Sequence, residues 1–280
     1  MTVAAPRRVY YRKSLVVPTE HGAWSWLLVP WLVGAVVGLA TPLSAPLPIL
    51  ALLLTLVGGL SAYMMRQPAT AWVRIRRGRG RKADQPLALG WMLGFGLVAL
   101  LCLLGLLLLG RSALLGLALP FAVILPAYLV AARRGRAAMR SLWMELAGAV
   151  GLALTAAAAY IAVTGQLTTT ALALWALLAL QNATGVFYVR QRLAGPQEHD
   201  ANRSLTLWGH VAAFAAVAAA GALAWIPWLA ALPFAGFLVR GLWAVRQPRP
   251  VANMKRFGFT EVGVELLGGA LIALGYLLLL

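Results

Sequence analysis

Apolar runs about 20 residues long recur nine times along the chain, and the polar residues gather in the pieces between them. An α-helix rises 1.5 Å per residue, so a run of about 20 crosses the roughly 30 Å hydrocarbon core of a bilayer. The pattern predicts membrane helices at about 22–40, 49–66, 87–109, 113–131, 142–164, 168–188, 206–224, 227–245 and 260–279. No low-complexity tract or linker interrupts them, so residues 1–280 read as a single transmembrane domain of the all-α polytopic class. Nine crossings place the termini on opposite sides. The first run follows Arg7, Arg8, Arg12 and Lys13 but is longer than a signal core and carries Trp24, Trp26 and Trp31, so it reads as a retained signal-anchor helix.

Charge orients this pattern. Of 24 lysines and arginines, 23 fall in five segments: the N-terminal tail, 66–86, 133–140, 190–203 and 240–256. These segments alternate with the connections at 41–48, 110–112, 165–167 and around Pro227, which carry only Arg111. Cytoplasmic loops collect lysine and arginine, so the expectation is a cytoplasmic N-terminus and an outside C-terminus. At 62% hydrophobic residues and mean hydropathy +0.83, the composition excludes a soluble globular domain. The net charge of +17 is accordingly read as topogenic, with anionic lipid head groups as partners and no nucleic acid. The one cysteine, Cys102, lies inside an apolar run and can form no intramolecular disulfide.

The seven acidic residues and the three histidines also cluster at or near the basic side, which predicts one functional pole with a mouth there. Four constellations stand out. Glu20 and His21, in Pro18-Thr19-Glu20-His21-Gly22-Ala23-Trp24, form either an interfacial anchor or a proton-transfer and head-group pair. On the second span, Thr55, Gly59, Tyr63 and Arg66 share one helical face, followed by Gln67 and by Pro68, which is expected to end or kink the helix. On the sixth, Gln181, Gly185, Tyr188 and Arg192 share a face flanked by Asn182 and Arg190; the adjacent amides are costly against lipid and are expected to face inward. On the ninth, Glu261 and Glu265 lie one turn apart, as an ion pair with Lys255 and Arg256 or as a catalytic pair, and Glu145 has the same ambiguity with Arg140 nearby. The histidines have no ligand spacing and no HExxH, CxxC or phosphate-loop motif occurs, so neither metal nor cofactor is predicted.

The Pro18–Trp24 string, the Arg66-Gln67-Pro68 helix end and the Lys255-Arg256-Phe257-Gly258 segment leading to Glu261 resemble the YwiC-like family of bacterial membrane proteins. That resemblance implies a multi-pass protein of the bacterial cytoplasmic membrane. More distantly, nine helices with basic loops after the second and sixth resemble the UbiA-type intramembrane prenyltransferases, which hold an isoprenoid diphosphate through magnesium on aspartate-rich motifs. This chain has Tyr63, Arg66 and Gln67, and Asn182, Tyr188 and Arg190, where that resemblance places the aspartates. Arginine forks bind phosphate or carboxylate without a metal.

Taken together, these features predict a UbiA-like bundle that holds an anionic or polar-headed lipid, of isoprenoid or quinone type, at its cytoplasmic mouth. Arg66, Arg190 and Arg192 are the expected head-group anchors, with Tyr63, Gln67 and Tyr188 beside them. Gln181 and Asn182 are orienting partners, and Glu20, His21 and Glu265 are candidates for moving a proton. Arg66 and Arg190, without an evident local carboxylate, are expected to converge on one head group. The competing readings are a transporter for a small solute or lipid, and a non-catalytic assembly factor.

Overall fold

The computed structural model describes residues 11–18, 22–42, 45–247 and 251–279, and every regular element among them is helical. In chain order the helices are α1 (Lys13–Val16), α2 (Gly22–Ala40), α3 (Pro48–Arg76), α4 (Gln85–Leu108), α5 (Ala118–Arg134), α6 (Arg136–Met139), α7 (Leu142–Thr164), α8 (Thr169–Leu193), α9 (Pro196–Ala222), α10 (Leu232–Arg246) and α11 (Met254–Leu277). Eight helical segments among the described residues, on α2, α3, α4 and α7 to α11, are long and apolar enough to cross a membrane. The outward leucines of α4 agree: Leu93, Leu97, Leu101 and Leu108 are exposed on a surface that only lipid can cover without cost.

Three predicted boundaries are corrected. The span expected at 113–131 opens instead as a 3-10 turn, Ser112–Leu117, and continues as the 17-residue α5 with Pro126 inside it. Pro68 does not end the second span. The helix runs on to Arg76, because Ala71 packs with Leu15 and Val16 of α1 and Ala88 of α4, and that burial outweighs the lost backbone donor. The basic stretch 189–205 is mostly helix, with α8 reaching Leu193 and α9 starting at Pro196, a favoured first helical residue.

The spine of the bundle is the crossing of α2 and α7. A β-carbon on Gly34 would overlap the carbonyl oxygen of Ala156, so only glycine admits this approach. Ala153, Ala156, Ala157 and Ala159 of α7 are fully enclosed at the same crossing. Small residues bring the two backbones together, and polar atoms then fasten them: Thr155 Oγ1 donates to the Leu27 carbonyl at 2.8 Å. Asn182 on α8 donates to the Trp26 and Ala149 carbonyls at 3.2 and 3.1 Å, tying three helices at one point. Trp31 Nε1 donates to Thr55 Oγ1 at 3.1 Å and joins α3 to the group.

The helix ends gather at two poles. At one, Arg12 pairs with Asp84 at 3.0 Å and Arg77 donates to the Arg133 carbonyl at 2.8 Å, which brings the basic segments together. At the other, Arg111 is 1% exposed and donates to the carbonyls of Ala162, Leu109 and Pro46 at 2.7, 2.7 and 2.5 Å. One side chain there clips together the connections after α2 and α4 and the last turn of α7.

Candidate functional site

The predicted polar face of α3 turns into the bundle and is filled. Thr55 accepts from Trp31 and donates to its own Leu52 carbonyl, and Tyr63, 5% exposed, meets the Trp24 ring edge-on at 5.1 Å. Arg66 lies over the rings of Tyr63 and Tyr128 at 5.4 and 5.6 Å, an arrangement favoured by the negative face of each ring. Gln67 Nε2 donates to the Ser14 carbonyl at 2.9 Å and fastens α1 across the helix end.

The amides of α8 are buried, Gln181 at 4% and Asn182 at 1% exposure, as their cost in lipid requires. Gln181 Nε2 donates to the Glu265 backbone carbonyl at 3.0 Å. Glu265, buried on α11, accepts from Ser25 Oγ at 2.5 Å, and Ser25 also reaches the Gly22 carbonyl. Three acceptor oxygens in this knot, Gln181 Oε1, Asn182 Oδ1 and Glu265 Oε1, find no hydrogen-bond partner among the described residues. The structure thus joins Gln181 and Glu265 through α11, while Asn182 turns to α2 and α7. Glu20 and His21 lie outside the described residues.

Two charge pairings differ from expectation. Arg190 has a carboxylate after all: Glu145 Oε2 accepts from it at 2.8 Å, and the Arg140 carbonyl accepts at 3.2 Å. Glu145 therefore pairs across helices rather than with Arg140, because α7 and α8 pack side by side and bring Arg190 to it. Glu261 pairs with Arg240 of α10 rather than with Lys255 or Arg256, since α11 faces α10 at this level. Arg66 is held between α3 and α5 and Arg190 against α7, so different neighbours hold the two expected anchors.

A cavity of about 290 Å³ opens at the basic pole between the ends of α8 and α10 and the start of α11. Tyr188, Arg192, Trp243, Arg256, Phe257 and Glu261 are among its walls. Tyr188, 6% exposed, stacks on Phe257 at 6.0 Å while the Arg240 guanidinium lies 3.5 Å from its ring centre. Arg192 lies over Trp243 at 4.8 Å. Two guanidinium groups, Arg192 and Arg256, thus line the cavity together with Glu261, which pairs with Arg240. Such a hollow, with guanidinium forks over aromatic floors, can take a phosphate or carboxylate at its mouth and an apolar group beside it.

Sequence reasoning identified Tyr188 and Arg192 and missed Trp243 and the inward role of Arg240, because α10 shows no polar stripe of its own. It also missed Ser25, whose signal was available: a lone serine between two tryptophans in an apolar span must find a buried partner. Among the described residues no group of three or more histidine, cysteine, aspartate or glutamate side chains is placed to hold a metal ion.

Comparison with known proteins finds no match among curated proteins or solved structures. The sequence profile of one family, described as YwiC-like protein, matches residues 17–160, just over half of the 280 residues and the stretch that contains the Glu20–Trp24 string, α2, α3 and the α7 spine. The chain belongs to the YwiC-like family.

Proposed function

We propose that this protein binds the anionic head group of a membrane amphiphile in the basic-pole cavity between α8, α10 and α11. The observation that carries the reading is the make-up of that cavity's walls, where the guanidinium groups of Arg192 and Arg256 stand beside the rings of Tyr188, Trp243 and Phe257. Arg192 and Arg256 serve as head-group contacts, Tyr188, Phe257 and Trp243 flank the first carbons of an acyl or isoprenoid chain, and Arg190 is held at the margin by Glu145. The basic pole faces the cytoplasm of a bacterial inner membrane, and α5 with its preceding turn completes a ninth crossing. A UbiA-like arrangement of two four-helix repeats and a last helix belongs to the same reading. It is supported by the way α3, second in one half, touches α7, while α8, second in the other, touches α2. In this reading a lipid-modifying reaction, if the protein performs one, uses no metal clamp and takes its proton donor or acceptor from the Ser25–Glu265–Gln181 knot.

The test is binding of phosphatidylglycerol by the purified protein in phosphatidylcholine nanodiscs, followed by native mass spectrometry. Replacing Arg192 and Arg256 together by alanine is expected to weaken retention by about tenfold, the effect of ~1.4 kcal/mol. Wild-type retention in that double variant would refute the reading. Cysteines placed at Gly78 and at Thr41 settle the orientation, with only the second expected to label from outside intact cells.

A further inference from the structure

The basic pole carries a second group of arginines, where the turn after α3 meets the corner between α5 and α6. α3 ends at Arg76, and Gly78, at φ 73°, reverses the chain so that the Arg79 backbone N–H donates to the Arg74 carbonyl at 3.0 Å. α5 ends at Arg134, and Gly135, at φ 114°, makes the corner into α6. Glycine alone adopts both conformations at little cost. The two turns lie against each other: Arg77 Nη1 donates to the Arg133 carbonyl at 2.8 Å, and a β-carbon on Gly135 would stand 3.2 Å from Arg79 Nη1. Arg77, Arg79, Arg133 and Arg134 are thereby presented together, all four exposed. None of them pairs with a carboxylate among the described residues, and Asp84, the acid that follows the turn, is taken by Arg12. Like charges gathered this closely repel, and an anion between them relieves the repulsion. The surface beside them is apolar. Val123, Ala127 and Val130 recur at helical spacing down one exposed face of α5, and Arg134 ends that face.

We infer that this corner binds a membrane lipid with two phosphodiesters, whose head group lies between Arg77 and Arg79 on one side and Arg133 and Arg134 on the other, while its chains run along Val123, Ala127 and Val130 of α5. Guanidinium forks match phosphate oxygens in pairs, and four of them exceed what a singly charged head group neutralises. Basic sites between membrane helices at head-group level take such lipids. A nucleic acid meets the same charges but leaves the apolar face of α5 unused. The inference shares with the proposed function only the placement of α5 in the membrane, and none of its residues lines the cavity between α8, α10 and α11.

The experiment uses the full chain in phosphatidylcholine nanodiscs with a sub-saturating amount of cardiolipin bearing a diazirine on its chains, and labelled peptides are read by mass spectrometry. Label on residues 119–134 is expected to exceed that from a phosphatidylcholine carrying the same diazirine. The excess should fall about thirtyfold in Arg79→Gln with Arg134→Gln, which removes two surface charges. It should persist in Arg79→Lys with Arg134→Lys, which keeps them, and in Arg192→Ala with Arg256→Ala, which alters only the other site. An excess that survives in the glutamine pair, or that is lost equally in the lysine pair, overturns the inference. So does a phosphatidylcholine probe that labels α5 as strongly, in which case α5 still lies in lipid and only this inference falls. Absence of label from both probes removes the ninth crossing as well. Binding of a fluorescent RNA oligonucleotide that depends on Arg79 and Arg134 more steeply than the lipid label makes the surface a nucleic-acid site and likewise overturns the inference. If the glutamine pair lowers the Tm, Arg134→Gln alone decides, with about a fivefold loss expected.

Discussion

At the basic pole Arg190 meets Glu145, Arg240 meets Glu261, and Arg66 and Arg192 lie over aromatic rings, while at the opposite pole Arg111 is gripped by three backbone carbonyls. Water reaches the first group: Arg190 and Glu145 side chains are 31% and 34% exposed, against 1% for Arg111. A pair that water can reach is screened, and each member can be resolvated if the other leaves. A guanidinium enclosed by carbonyl dipoles has no such exchange, and neither have the carbonyls. The difference teaches that arginine is enclosed by backbone at one pole and stays within reach of water at the other.

Removing Arg111 should break that contrast most visibly. Arg111→Ala strands three acceptors and is expected to destabilise the protein by about 3–5 kcal/mol, read from thermal unfolding in detergent. Arg111→Lys should recover only part of this, because an ammonium cannot span three carbonyls with a planar fork. A loss below ~1 kcal/mol in Arg111→Ala would erase the distinction between the poles. Next in size is Arg240→Ala, which leaves the half-buried Glu261 without its partner and is expected to cost about 2 kcal/mol. A double-mutant cycle with Glu261→Gln should assign ~1 kcal/mol or more of this to the pair itself. Arg190→Ala, at a site where Glu145 regains water, should cost less than about 1 kcal/mol in the same unfolding assay. The smallest effect belongs to Arg66→Ala, about 0.5–1 kcal/mol for an arginine resting on two tyrosine rings. A larger loss at Arg66 than at Arg240 would show that the ring contacts, not the carboxylate pairs, organise the basic pole.

Much of this was legible in the chain. Apolar run length marked the spanning helices, because the bilayer imposes one length on all of them. Charge asymmetry separated the poles, and the adjacent amides Gln181 and Asn182 announced their inward facing through their cost in lipid. Partners across helices were not legible. Glu145 looked equally close to Arg140 and to nothing else, since sequence distance says nothing about which helix α7 packs beside. The continuation of α3 through Pro68 was hidden for the same reason: the compensating contacts come from Leu15 and Ala88, on other helices. Trp243 escaped notice because a tryptophan at a helix end reads as an interfacial anchor, and only the approach of Arg192 gives it a second use.

The α2–α7 crossing also sets an order of events during synthesis. Consecutive helices α2 and α3 touch at few positions, whereas α2 packs along α7, whose last residue is made roughly 120 positions after α2 is complete. At about 5–20 residues per second, α2 waits some 6–25 s in the membrane for its partner. Through that interval its glycine notch lies against lipid tails or against helices that must later give way. Its companion on α11, Glu265, which receives the Ser25 hydroxyl, arrives last of all. A nascent chain halted before α7 therefore carries α2 without the helix it packs along, even though α3 and α4 can already meet.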